Sequence, residues 1–163
     1  MPKILRLPEA ADASSGEAPL VEDTAGELIA LRDFLADPAR HAGGKPLGVR
    51  VAPADEIEAL VPHLAHVGLV AIEFPGPGDG RGFTSARLLR QRYGYQGEIR
   101  AVGSGVKQDL LFFMVRCGLN AFELVAGENV AEARRALRRF TLDYQPAVPT
   151  AAVREPRFTA ARH

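Results

Sequence analysis

The chain has 163 residues, 47% apolar and 25% charged, with 20 Lys/Arg balanced by 20 Asp/Glu. That length suits one domain with a full core, and the zero net charge argues against bulk attraction to nucleic acid or to an anionic membrane. The single cysteine, Cys117, excludes an internal disulfide and any zinc or iron–sulfur site built from thiolates alone.

The first 23 residues mix Pro, Ala, Ser, Gly and acids, without the apolar run of a signal peptide. No stretch approaches the roughly 18 apolar residues of a membrane helix, so a soluble cytoplasmic protein is expected. Thr24-Ala-Gly-Glu27 is a capping-box pattern, and Leu28, Leu31 and Leu35 follow at helical spacing. A helix is therefore predicted there, ended by Asp37-Pro38, with Gly43-Gly44 as a second break. Residues 1–44 read as an N-terminal segment carrying one helix.

Residues 45–141 read as an α/β domain of strand–helix units. Strands are predicted at Leu47–Ala52, Val67–Glu73, Glu98–Val102 and Ala121–Val125. The second is nearly all apolar, as for a strand covered on both faces. Between them lie helical patterns: Ile57, Leu60, Val61 and Leu64 from near Asp55; Ala86, Leu89 and Tyr93 from near Thr84; and Val106, Leu110, Phe113, Met114 and Cys117, closed by Gly118. Val130, Ala133, Leu137 and Phe140 form the stripe of a last helix, with Asn129 as its cap. Residues 142–163 contain three prolines and no periodicity, and read as an irregular, flexible tail.

Four strands alternating with helices imply a parallel sheet with right-handed crossovers. Two architectures fit, a half (β/α) barrel or a small open doubly wound sheet. A half-barrel leaves edges to be covered; the N-terminal segment, the tail or a second copy could do this, so a homodimer is among the expected assemblies. In both folds a ligand sits beyond the carboxyl ends of the strands, an edge comprising Pro53–Asp55, Glu73–Thr84, Gly103–Val106 and Val125–Asn129.

The longest of these turns is glycine-rich and holds Asp79, Arg81, Thr84 and Ser85. Its glycines cost entropy when ordered. They would let backbone donors at a helix start approach an anion, with Arg81 adding a bidentate grip. Gly80, Arg81, Gly82, Thr84 and Ser85 are thus the candidate anion site, and Asp79 and Glu73 the candidate acid–base residues. The plain alternative is that Asp79 pairs with Arg81 while Thr84 caps the helix. The spacing matches neither a phosphate-binding Walker loop nor a dinucleotide fingerprint.

Gly103-Ser104-Gly105 reads as a tight turn, with a second anion nest as its alternative. Cys117 continues an apolar stripe and reads as structural. His63 and His66 are three apart, but no third ligand is evident, and they read as solvent-facing. No cofactor and no metal site is expected. Residues 1–80 carry thirteen acids against six bases and residues 81–163 fourteen bases against seven acids. Arg134, Arg135, Arg138 and Arg139 lie off the apolar stripe of the last helix, as a solvated face or a docking surface for an acidic protein.

Three blocks in order are more specific than any of these features: Asp79-Gly-Arg-Gly-Phe-Thr-Ser-Ala-Arg-Leu-Leu-Arg90, Gly97-Glu-Ile-Arg-Ala-Val-Gly103 and Arg116-Cys-Gly-Leu-Asn-Ala-Phe-Glu-Leu124. With them the chain, over roughly residues 45–125, resembles the bacterial family called domain of unknown function 934. Members of that family commonly lie beside a sulfite reductase gene and are often labelled as oxidoreductases of sulfite reduction. The resemblance implies a role in assimilatory sulfite reduction, as an accessory or an oxidoreductase component, with sulfite reductase as the partner. The chain departs from the family pattern in three places: Ser104 follows the second block where an acid is usual, Gln108-Asp109 stand in reversed order, and Asn120 stands where an Asp is usual.

Overall fold

The computed structural model describes residues 3–7, 20–22, 28–41 and 47–137. The Thr24–Glu27 capping box, Phe140, Arg138, Arg139 and the segment 142–163 lie outside the described residues.

The four predicted strands are present with their boundaries met to within one residue: Leu47–Val51, Val67–Glu73, Glu98–Val102 and Ala121–Leu124. The sheet is larger than expected, however. It has seven strands, because Lys3–Arg6 (β1), Leu20–Glu22 (β2) and Leu28–Ala30 (β3) join the four, which become β4 to β7. The order is β2-β1-β7-β6-β5-β4-β3. Strands β3 to β7 are mutually parallel, whereas β1 runs antiparallel to both β7 and β2. The first strand thus covers the edge of β7, one of the solutions the sequence left open.

Sequential order decides between the two expected architectures. Each right-handed crossover from β3 to β7 steps the same way, so every connecting helix falls on the same face. A doubly wound sheet needs a reversal of direction, and none occurs; the connectivity is that of a barrel segment, left as an open sheet. The core follows suit. Leu5, Val49, Val51, Val70, Ile72, Phe74, Ile99, Ala101 and Phe122 pack in one buried cluster with Leu31, Phe34, Ile57, Leu60, Ala86, Leu89, Leu111 and Met114 from the helical layer.

The connections differ in detail from the periodicity. The N-terminal helix is short: Leu28 belongs to β3, and α1 spans only Leu31–Ala36. Pairing of Leu28, Ile29 and Ala30 with Gly48, Val49 and Arg50 outcompetes helix extension. The segment Ile57–His66 is a 3₁₀ helix with Pro62 inside it. The ring of Pro62 is incompatible with an α-helical bond at that position, and the three-residue repeat puts His63 edge-on to the Phe34 ring, centroids 5.4 Å apart. Helix α2 begins at Arg81, not Thr84, and runs to Arg87 before widening into a π-helical turn, Leu88–Arg92.

Early entry into α2 depends on Gly82, which is buried against β5. A Cβ there would stand 2.6 Å from Phe74 Cζ and 3.0 Å from Ile72 Cγ2, so the helix lies closer to the strand than any side chain would permit. Helix α3 is Leu111–Arg116, buried through Leu111 and Met114, whereas Phe113, expected in the stripe, is 50% exposed. Helix α4, Val130–Leu137, is capped by Asn129 as expected, its Oδ1 accepting from the Ala131 amide at 2.9 Å.

Candidate functional site

Parallel pairing brings the turns after β4, β5, β6 and β7 to one rim, the edge where such folds hold ligands. The turns are laced together. Phe74 N donates to Val102 O and Gly105 N to Phe74 O, both at 2.8 Å, and Ser104 Oγ donates to Pro75 O at 2.5 Å. Gly103 has φ +103°, and a Cβ on it would meet Phe74 O at 2.6 Å. The Gly103–Gly105 segment is therefore a tight turn that seats β5 against β6, with its Gly105 and Val106 amides engaged by carbonyls.

In the glycine-rich turn, Asp79 and Arg81 hold each other. Arg81 Nη2 donates to Asp79 Oδ2 at 2.6 Å and Nε to Oδ1 at 3.0 Å, and Oδ1 also accepts the Arg81 amide at 3.1 Å. The hydrogen bonds from Arg81 hold the Asp79 carboxyl below its ordinary value of 3.8. Asp79, rather than Thr84, thus satisfies the helix start. Gly80 is the cap position, Thr84 is exposed, and Ser85 Oγ reaches back to Arg81 O at 3.5 Å. The amides of Asp79 and Phe83 donate to Gly76 O and Gly80 O. An oxyanion at Gly80, Arg81, Gly82, Thr84 and Ser85 would have to displace the Asp79 carboxylate first.

The structure also assembles two groups that no local pattern announced. On the helical side, Arg90 binds three carbonyls: Nε to Gly118 O at 2.9 Å, and Nη1 to Tyr95 O at 2.6 Å and Gly97 O at 2.9 Å. It ties the π-turn to the start of β6 and the end of α3, and burial lowers its pKa. Tyr95 adds a bond from its hydroxyl to Val67 O at 2.9 Å, and burial raises its pKa. Along α2 and the π-helical turn that follows it, Thr84, Arg87, Leu88, Gln91 and Arg92 line an open groove.

The second group lies on the sheet face that carries none of the described helices. Registry places Ala30, Arg50, Ala71, Arg100, Ala121 and Arg6 in one row across β3, β4, β5, β6, β7 and β1. Every arginine stands between or beside alanines, which leave room for its stem. Glu98 receives two of the three arginines, Arg6 Nη2 at 2.7 Å and Arg100 Nη2 at 2.7 Å. Glu73, at the carboxyl end of β5, pairs with Arg50 at 3.0 Å. Arg100 is fully buried, whereas the Arg50 side chain is 46% exposed. Glu73, a candidate acid from the sequence, therefore sits opposite an arginine that the sequence did not single out.

Cys117 is half-buried and packs against the core; burial raises its thiol pKa, partly offset by Arg87 and Arg116. Among the described residues no group of three or more His, Cys, Asp or Glu is placed to hold a metal ion, and no described helix is long and apolar enough to cross a membrane. Arg135 is exposed and meets Glu132 at 3.7 Å.

Residues 48–157 match the sequence profile of a family described as bacterial protein of unknown function, DUF934. The chain belongs to the DUF934 family. The match spans β4 to α4, so the parallel sheet from β4 onward, the rim and the arginine row on β4 and β6 are all within the family region. No curated protein matches the chain. The three sequence blocks of this DUF934 protein fall on the turn and helix α2, on β6 and on β7. Two of the blocks thereby supply Glu98, Arg100, Ala121 and Glu123 to the face that carries none of the described helices.

Proposed function

We propose that this DUF934 protein is a cytoplasmic accessory of assimilatory sulfite reduction that docks on sulfite reductase through the basic outer surface of its helical layer. The observation that carries the reading is a contrast. The candidate acids Asp79 and Glu73 are each held by an arginine, whereas the groove on α2 is open and lined by Arg87 and Arg92. Arg134 and Arg135 on α4 extend the same basic half of the chain. Open, positively charged surfaces suit association with an acidic protein, and they steer encounter more than they bury area. The link to sulfite reduction rests on the resemblance carried by the three blocks. A single cysteine cannot supply the thiolates of a cluster, which supports a partner of the reductase rather than the reductase itself.

The competing reading, a small enzyme acting on an oxyanion-bearing metabolite with Asp79 or Glu73 moving a proton, requires the Asp79–Arg81 pair to open to free Arg81 for the anion, and the Arg50–Glu73 pair as well if Glu73 is the acid. The test is capture of sulfite reductase by the purified protein. Binding is expected at low salt, weakening as salt rises, and at least tenfold weaker for the Arg87→Glu/Arg92→Glu variant. No association at low salt overturns the docking reading. Deleting the gene should abolish growth on sulfate but not on cysteine; unaffected growth on both overturns the sulfur assignment.

A further inference from the structure

We propose that the groove along α2 and its π-helical turn receives an amphipathic helix of an acidic protein partner, which seats an apolar side chain over Leu88 between two carboxylates that pair with Arg87 and Arg92. This rests on the docking reading of the same surface and adds what the partner presents to it. The groove is a product of helical geometry. Thr84, Leu88 and Arg92 form one row at four-residue spacing, and Arg87 and Gln91 form the next. Adjacent rows of this kind are ridges with a channel between them, and the ridge of a second helix fits that channel. The π-helical turn is closed by the Tyr93 amide, which donates to Leu88 O at 3.1 Å, and it carries Arg92 into the row of Leu88. Turns of this type are rare and recur at functional sites.

The charges say what that helix carries. Arg6, Arg32, Arg50, Arg81, Arg100 and Arg135 each meet a carboxylate. Arg87 and Arg92, both exposed, meet none among the described residues. Arg87 Nε donates to Gln91 Oε1 at 2.8 Å, and the Arg92 guanidinium lies 5.8 Å from the centre of the Tyr93 ring. Each is thereby steadied while most of its five N–H donors stay available. Glu58 accepts from the Tyr93 hydroxyl at 3.4 Å and leaves Arg92 without an ion pair. Between the two cations Leu88 is half-buried, an apolar floor in a polar surface. The groove holds about 300 Å³ and is open, at the lower limit of enclosed small-molecule sites. It therefore suits side chains presented by a protein. Apolar surface continues onto α3, where Phe113 is 50% exposed and Cys117, one turn later on the same face, lies within the field of Arg87.

Other occupants fit less well. An extended segment needs a sheet edge for its backbone bonds, whereas a helix is met through its side-chain ridges. A second copy related by a two-fold axis would set Arg87 and Arg92 against their own counterparts, like charge on like. Single-stranded nucleic acid stacks its bases on aromatic platforms, and Thr84, Arg87, Leu88, Gln91 and Arg92 include no ring. Arg87 and Arg92 are five residues apart, roughly 7.5 Å along the axis. Carboxylates one turn apart on the incoming helix, about 5–6 Å, match that span with an apolar residue between them.

The experiment is fluorescence anisotropy of three labelled peptides, each about 20 residues long so that a helix can form, titrated with the full chain at low salt. The first carries a leucine stripe at helical spacing flanked by glutamates. The second replaces those glutamates with lysines, and the third keeps them and replaces the leucines with serines. The first should bind in the micromolar range, and the other two about tenfold more weakly or worse. Arg87→Gln/Arg92→Gln should weaken the first peptide about tenfold, and Leu88→Ser should do the same by removing the apolar floor. Thr84→Glu sets an acid at an exposed position of the groove and should weaken it as well, so the test survives should Leu88→Ser fail to fold. Any one of four results overturns the proposal: no binding of the first peptide, equal binding of the lysine peptide, equal binding of the serine peptide, as for a plain charged surface, or binding that none of the groove variants weakens. Sulfite reductase takes no part in these titrations. Binding of the first peptide without capture of the reductase overturns the docking reading alone, and capture of the reductase unchanged by Thr84→Glu overturns the groove alone.

Discussion

The two faces of the central sheet are built from the same strands and obey different rules. The helix-packed face presents Val70 and Ile72 from β5 and Phe74 just after it, with Ile99 and Ala101 from β6, against apolar helix residues. The opposite face presents Leu69, Ala71 and Glu73 from the same β5, with Glu98, Arg100 and Val102 from β6. One residue of register separates a hydrophobic core from a charged layer, because side chains alternate along a strand. The helix-packed face fixes the fold through shape; the other face holds charge in defined places, with Arg50 half-exposed beside Glu73.

Breaking this contrast starts with the core. Phe74 is 1% exposed, meets Phe83 edge-on with centroids 5.2 Å apart, and fills the space that Gly82 leaves. Phe74→Ala should cost about 4 kcal/mol, read as a fall in the urea midpoint at unchanged slope. Next is Glu98→Ala, which leaves Arg6 and Arg100 without their shared carboxylate. Arg100 is buried but Arg6 is a third exposed, so the loss should be about 3 kcal/mol, at the low end for a broken buried pair.

The sharpest comparison replaces Arg6, Glu98 and Arg100 together. Arg6→Met, Glu98→Leu and Arg100→Met together should leave stability within about 1 kcal/mol of wild type, or raise it. A triple variant as unstable as Glu98→Ala alone would show that the charged layer is needed for folding, and the two faces would then not differ in kind. The smallest effect belongs to the exposed turn. The Asp79 carboxyl lies below its ordinary 3.8 in the folded protein because of Arg81. Its contribution is therefore fully present above that ordinary value and is lost as pH falls through the depressed one. Asp79→Ala should flatten the acid limb of the stability–pH curve below about pH 4 and leave stability at pH 7 nearly unchanged. A large loss at pH 7 would mean that the turn is part of the core.

Elements written by local chemistry were legible. The strand Val67–Glu73 was placed to the residue because a buried parallel strand is a continuous apolar run closed by Pro75 and Gly76. Asn129 announced its helix by being a side chain that caps. The division of residues 28–36 into β3 and α1 was not legible, since Leu28, Leu31 and Leu35 satisfy a helical period and only pairing with β4 breaks it. Arg90 was equally hidden. Its three acceptors, Tyr95, Gly97 and Gly118, lie up to 28 residues away, and no spacing rule connects an arginine to distant carbonyls.

The amino-acid order alone therefore settled which segments are strands and helices between residues 47 and 137 and which turns share one rim, because hydrophobic period, caps and breakers act within a few residues. Only the tertiary structure decided the strand order, the single layer of described helices and the alignment of Arg6, Arg50 and Arg100 on the other face. Those depend on register between strands as distant as β1 and β7, an energy of pairing that no local stretch of the chain contains.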